Sequence, residues 1–191
     1  MAYSISKQEK IEIEKAILAL QREQVIAYPT ESMYGLGCDI YSQDALLRII
    51  KLKKRDASKG LIVVAANWQQ VENLTEKLPE SDYREIFNTW PGATTWVFPA
   101  KSEVPQLVTG SKKTIAIRIS SNPFVQELCK GFKGPIISTS ANIQGHPPAI
   151  SMQETFAVFG NKIDCYVPGK IGENKKASKI IDAQTKIVLR K

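Results

Sequence analysis

The longest uninterrupted apolar run in this chain is Leu61 to Ala66. Six residues suit one buried strand and fall far short of the roughly 18 or more that a membrane-spanning helix needs. No bilayer crossing is expected, and any core must be assembled from short pieces. The neighbouring segments supply them. Ser6-Lys7-Gln8-Glu9 fits a capping box, and Ile13, Ala16, Ile17 and Leu20 recur at helical spacing, which predicts an amphipathic helix to about Glu23. Val25 to Tyr28 reads as a strand closed by Pro29, and Thr30 to Asp39 as a loop. Ser42 can cap a second helix with Ala45, Leu46, Ile49 and Ile50 on one face, leaving Lys53 and Arg55 at or just past its C-terminal end.

Asn67 is a plausible N-cap, after which two helical stretches flank Pro79 and lead to a turn at Trp90-Pro91-Gly92 and a strand from Thr94 to Phe98. Thr114 to Ser120 alternates strictly, so Ile115, Ile117 and Ile119 face one side and Ala116, Arg118 and Ser120 the other. Pro123 starts a helix to about Lys130, Pro135 to Thr139 is a short strand, and Ser140 to Pro148 a polar loop. Met152 to Phe159 suggests one more helix, with strands near Cys165 to Val167, Ile180 to Asp182 and Lys186 to Leu189. Alternating strands and helices with hairpin-like neighbours predict an α/β fold whose twisted sheet mixes parallel and antiparallel strands. With 191 residues, 43% of them apolar, a single domain spanning 1–191 is expected.

Three cysteines, Cys38, Cys129 and Cys165, lie far apart with no Cys-x-x-Cys, which argues against a disulfide framework or zinc knuckle and for small buried hydrophobes. A single histidine, His146 in a Gly-His-Pro-Pro loop, excludes mechanisms that need two imidazoles, and in that setting reads as a surface residue. Met1 to Lys10 lacks the apolar stretch of a secretory signal, so a cytoplasmic location is expected.

The net charge of +7 is clustered: Lys51–Gly60 and Gly110–Gly134 each carry +4 and Lys170–Lys191 carries +5, while Glu72–Glu85 is −3. If the three basic segments converge, they make a surface suited to polyanions, whether nucleotide phosphates or an RNA backbone. Taken singly, Lys175, Lys176 and Lys191 read as solvated side chains.

Three polar stretches follow strands or helices, where clefts form in open α/β sheets. Pro29-Thr30-Glu31-Ser32 precedes Tyr34-Gly35-Leu36-Gly37, pairing hydroxyls with glycines that let backbone approach a ligand; alone it also reads as an ordinary turn. Lys53-Lys54-Arg55 with Lys59 concentrates cations that want an anion, or simply ends a helix. Ser138-Thr139-Ser140-Ala141-Asn142 offers hydroxyls and an amide for phosphate oxygens, or a Ser/Thr turn. No Walker loop is present, paired carboxylates at useful spacing are missing, and Glu31 and Asp39 read as local acceptors rather than metal ligands.

In combination, Pro29 to Gly37, Lys53-x-Arg55 with Lys59-Gly60-Leu61, Trp90 to Thr95, Ile117-Arg118 and Ser138-Thr139-Ser140-Ala141-Asn142-x-x-Gly145 resemble the YrdC-like family in its short form, in order and spacing, over nearly the whole chain. The resemblance implies a fold around a large positively charged cavity. It also implies an enzyme, a nucleotidyltransferase, that joins L-threonine, bicarbonate or CO2 and ATP into a threonylcarbamoyl-adenylate with release of pyrophosphate. The product goes to partner proteins that modify tRNA. Mg2+ is expected with the ATP, and because the family includes RNA-binding members the resemblance leaves tRNA or double-stranded RNA open as a partner.

By matching motifs, Lys53 and Arg55 are the implied catalytic cations and, with Lys59, Ser140, Asn142 and Ser178, the implied ATP ligands; Thr30, Arg118 and Ser138 match threonine-binding positions; no residue is assigned to metal. Gly60 stands where the family often has proline, which should loosen that turn, and Ser32 where it often has threonine. Replacing Lys53 or Arg55 by Ala is expected to abolish pyrophosphate release and spare the fold, both being read as cleft-surface residues. The competing expectation is a non-enzymatic RNA-binding or ribosome-assembly factor, and a further one a carbamoyl-transfer module with another acceptor.

Overall fold

The structure is a computed structural model that describes residues 5–172 and 177–191. Met1–Ser4, and with them part of the N-terminal reading, lie outside the described residues, as do Lys175 and Lys176. Helix α1 (Lys7–Gln21) starts on the expected capping box, with Ser6 Oγ accepting from the Glu9 amide and the Glu9 carboxylate accepting from the Ser6 amide. Strands β1 (Ile26–Pro29) and β2 (Tyr34–Gly37) form an antiparallel hairpin. The second half of the segment read as a loop is therefore a strand. Its glycines hid it, and they are there for space: a Cβ on Gly37 would sit 2.6 Å from the Ile137 carbonyl and 2.8 Å from the Tyr28 ring. Helix α2 (Gln43–Lys53), capped by Ser42, ends at Lys54 in the left-handed region with φ 49°.

The apolar run becomes β3 (Ile62–Ala65). Only short 3-10 turns precede Pro79, and α3 (Glu80–Asn88) follows it. Next come β4 (Thr94–Pro99), a one-turn helix α4 (Gln106–Thr109), β5 (Thr114–Ile119), α5 (Pro123–Phe132), β6 (Ile136–Ile137) and β7 (Thr139–Ser140). Helix α6 (Met152–Phe159) and strands β8 (Cys165–Tyr166), β9 (Lys179–Asp182) and β10 (Val188–Arg190) complete the order.

The expected mixed sheet is built as two: β7-β2-β1-β8 and β10-β9-β4-β5-β3-β6, each containing parallel and antiparallel pairs. The chain crosses between them at Ser138, whose amide donates to the Ile62 carbonyl, while β6 on one side pairs with β3 and β7 on the other pairs with β2. One apolar layer packs α2, β2 and the Ile115, Ile117 and Ile119 face of β5; a second lies under α1 and α5. Cys38 and Cys129 are buried and Cys165 is half-buried, all three unpaired. Among the described residues no helix is long and apolar enough to cross a membrane.

Candidate active site

The face of the six-stranded sheet opposite the three isoleucines is the floor of a cavity of about 610 Å3. Period-2 alternation turns Ala116 and Arg118 of β5 towards it, with Ile62 of β3 and Val97 of β4 beside them. The rim comes from Thr30 and Ser32 before β2, the turn Ser58-Lys59-Gly60, Ser111 and Lys112, the crossing segment Ser138-Thr139-Ser140, and Ser178 and Arg190 at the C-terminal hairpin. Each basic segment of the sequence contributes: Arg55 and Lys59 from the first, Lys112 and Arg118 from the second, Arg190 from the third. The acidic stretch Glu72–Glu85 contributes none, and no carboxylate is among the described lining residues. A volume of this size suits a small-molecule ligand of nucleotide dimensions.

Of the residues singled out in the sequence, Thr30, Arg55, Lys59, Arg118, Ser138, Ser140 and Ser178 line this one cavity. Lys53 and Asn142 stand behind it. Lys53 is 3% exposed, which corrects the expectation of a cleft-surface cation. The parity of a helix end gives direction around the axis, not which neighbour covers the side chain. Its ammonium is spent on the crossing segment: it donates to the carbonyl of Ser140, to the carbonyl of Asn142 at 3.0 Å and to Asn142 Oδ1 at 3.2 Å. Ser140 Oγ donates to the same Oδ1 at 2.6 Å, and the Lys53 carbonyl accepts from the Gln144 amide. The Asn142 side-chain amide donates to the Ile143 and His146 carbonyls, with His146 itself exposed. Burial, then the charge of Arg55, pushes the Lys53 pKa down to about 8.

Arg55 is half-buried and is held differently, its Nε and Nη2 donating to the Gly60 carbonyl at 3.3 and 3.0 Å. Gly60 makes this geometry possible: its φ of 61° is closed to proline, and a Cβ there would meet the Val108 carbonyl at 2.6 Å. The Leu61 amide donates to the same Val108 carbonyl at 2.9 Å. Burial lowers the Arg55 pKa, with the Asp56 carboxylate acting against that.

Arg118, 8% exposed, donates through Nη1 to Glu31 Oε2 at 2.9 Å, and Glu31 Oε1 accepts from Ser120 Oγ at 2.6 Å. Its Nε is buried without a partner. Thr30 Oγ1 donates to the Met33 carbonyl, and Ser138 abuts the fully buried Tyr28 phenol, whose pKa burial pushes up despite a hydrogen bond to Ser138. Ser178 Oγ is 2.8 Å from Thr95 Oγ1, and Arg190 donates to the Ser178 carbonyl from both Nε and Nη2.

Arg190 and Lys112 were missed by sequence reasoning. The +5 of the third basic segment pointed to its region, but the last strand was expected to end at Leu189. The pairing shift between Val188 and Arg190, which turns the chain, has no sequence signature. Burial, then Arg118 and Arg55, hold the Arg190 pKa below the usual arginine range, which puts three guanidiniums within electrostatic reach of one another.

For Mg2+ the donor chemistry is decisive. No group of three His, Cys, Asp or Glu is assembled among the described residues, and Glu31, between the lining residues Thr30 and Ser32, is already committed to Arg118 and Ser120. Among the described residues, no such group is available to hold Mg2+.

A mixed α/β fold with a cation-lined cavity at the crossing of two sheets defines the class. The chain belongs to the Sua5/YciO/YrdC family, whose profile, described as telomere recombination, matches residues 18–191. Relatives of similar length include the threonylcarbamoyl-AMP synthases of Coxiella burnetii strain RSA 493, 45% identical over 93% of this chain and 96% of that one, and of Hahella chejuensis, 43% identical over 93% and 97%. Among solved structures, P. abyssi Sua5 complexed with L-threonine superposes with a TM-score of 0.84 at 32% identity, covering 89% of this chain and 50% of that one. E. coli YciO superposes with a TM-score of 0.84 at 26% identity, covering 97% and 91%. The chain thus spans about half the length of P. abyssi Sua5 and nearly all of the short relatives.

Proposed function

We propose that this protein is a threonylcarbamoyl-AMP synthase, a nucleotidyltransferase that uses L-threonine, bicarbonate or CO2 and ATP. The reading rests above all on one observation: a buried arginine with an unpartnered Nε opens into the same cavity as two further guanidiniums and a hydroxyl-rich crossing segment. The first is a carboxylate site, the second a phosphate site.

The threonine amine forms a C–N bond to CO2 and gives up a proton to solvent. A carbamate oxygen then bonds to the α-phosphorus as the bond to pyrophosphate breaks. Neither step needs a histidine or a carboxylate pair, and the described cavity lining carries neither. The protein's work is to hold an anionic nucleophile in line with an anionic triphosphate. In this reading Arg118, Thr30 and Ser138 hold threonine. Arg55, Lys59, Arg190, Ser140 and Ser178 face the nucleotide, with Lys53 and Asn142 fixing Ser140. The adenylate then passes, in the cytoplasm, to partner proteins that modify tRNA.

A duplex RNA backbone does not fit inside a cavity of this volume, and the hydroxyls would serve it little. Incubation with ATP, threonine and labelled bicarbonate, read by mass spectrometry, should yield a labelled threonylcarbamoyl-adenylate and pyrophosphate. Duplex RNA binding without either product would replace this reading.

A further inference from the structure

Glu31, 7% exposed, is the one buried carboxylate among the described residues. Its neighbours Thr30 and Ser32 line the cavity and it does not. What it touches is Arg118. Nη1 of that guanidinium ends on Glu31 Oε2, and the other carboxylate oxygen is tied to Ser120 Oγ. Ser120 Oγ in turn accepts from the Asn122 amide, and the Asn122 side chain caps α5 by accepting from Phe124 and Val125. The carboxylate is thereby fixed to the start of a helix packed in the second apolar layer.

A guanidinium offers a carboxylate two paired edges, Nη1/Nη2 at its end and Nε/Nη2 along its side. Glu31 takes up one nitrogen of the end edge, Nη1, and does not touch the side edge. That is the edge whose Nε is buried and unpartnered. A buried donor without an acceptor is costly unless a ligand supplies one. As a charge, Glu31 would weaken anion binding at Arg118; as an acceptor, it decides which edge the anion meets.

We infer that Glu31 is a positioning residue that turns the Nε/Nη2 edge of Arg118 into the carboxylate site for the amino-acid substrate. This rests on the proposed synthase reading for the identity of that substrate.

The test is calorimetric binding of L-threonine and of L-threoninol, which keeps the amine, hydroxyl and methyl but has no carboxylate, alongside ATP binding as a control. The wild-type protein should prefer threonine. Glu31→Ala should lose threonine affinity by about 10- to 100-fold, the range for a hydrogen bond to a charged group, should lose the preference over threoninol, and should bind ATP as before. Glu31→Gln keeps an acceptor and drops the charge, so it should restore threonine binding. Should the Ala variant fail to fold, Ser120→Ala, which frees only Oε1, should give a smaller loss in the same direction.

An Ala variant that still prefers threonine, a Gln variant as weak as the Ala variant, or parallel losses for ATP and threonine would overturn the inference. If wild type binds threonine through this edge but forms no adenylate, the synthase reading falls and the positioning role stands. If it binds no threonine, both fall.

Discussion

Two arginines of the same cavity are held in opposite ways. Arg118 is buried and paired with a carboxylate that is itself anchored to a helix cap, whereas Arg55 is half-buried and rests on one backbone carbonyl, with the exposed Asp56 as its acidic neighbour. The ion pair removes most of the net charge at Arg118 and leaves direction. The carbonyl leaves Arg55 its charge, and Lys59, Lys112 and Arg190 add to it. An amino-acid carboxylate, small and singly charged, is selected by geometry; a triphosphate, large and multiply charged, is held by accumulated positive potential.

The sharpest way to break this comparison is Arg55→Ala. Pyrophosphate release should fall by about 100- to 1,000-fold, the cost of one preorganised electrostatic contact, with threonine binding measured by calorimetry unchanged. A matching loss of threonine affinity would mean that the two ends do not divide the work in this way.

Next in size is Lys53→Met. It removes the donor to the Ser140 and Asn142 carbonyls, and denaturant unfolding should show a loss of about 1–3 kcal/mol, contrary to the sequence expectation that the fold is spared. The same lysine carries a pH signature. Its pKa in the folded protein, about 8, lies below the ordinary 10.5, so the unfolded chain keeps this proton to higher pH. Stability relative to the Lys53→Met variant should therefore rise as pH climbs from about 8 towards 10.5. Nucleotide affinity should weaken over the same rise, because a deprotonated Lys53 holds the crossing segment less firmly. Calorimetry with ATP at several pH values checks the second trend, and a flat profile would detach Lys53 from the nucleotide end.

The smallest effect expected is that of salt. At about 1 M, where the Debye length is about 3 Å, ATP binding should weaken more than threonine binding, since the half-exposed cations are screened and the buried Arg118–Glu31 pair is not. Titrations of both ligands at low and high salt compare the two directly.

Much of this was legible in the chain. The capping box at Ser6, the cap at Ser42, the strict alternation of β5 and the three basic segments each follow from local rules. Parity alone put Arg118 on the face away from the isoleucines. The strand β2 was not legible, because Gly35 and Gly37 argue against strand by propensity and are admitted by the closeness of Tyr28 and Ile137. Nor was the division of the mixed sheet into two, since short strands do not say which edge they join.

Local rules along the chain dictate the elements, the face each strand presents and the supply of cations, because these depend on neighbours a few residues apart. Tertiary structure decided that Lys53 is buried against residues 87 and 89 positions away, that Arg190 returns to the cavity, and that Glu31 meets Arg118 across 87 positions. Hydrogen bonds and desolvation act through space, and no spacing along the chain encodes which distant group will complete them.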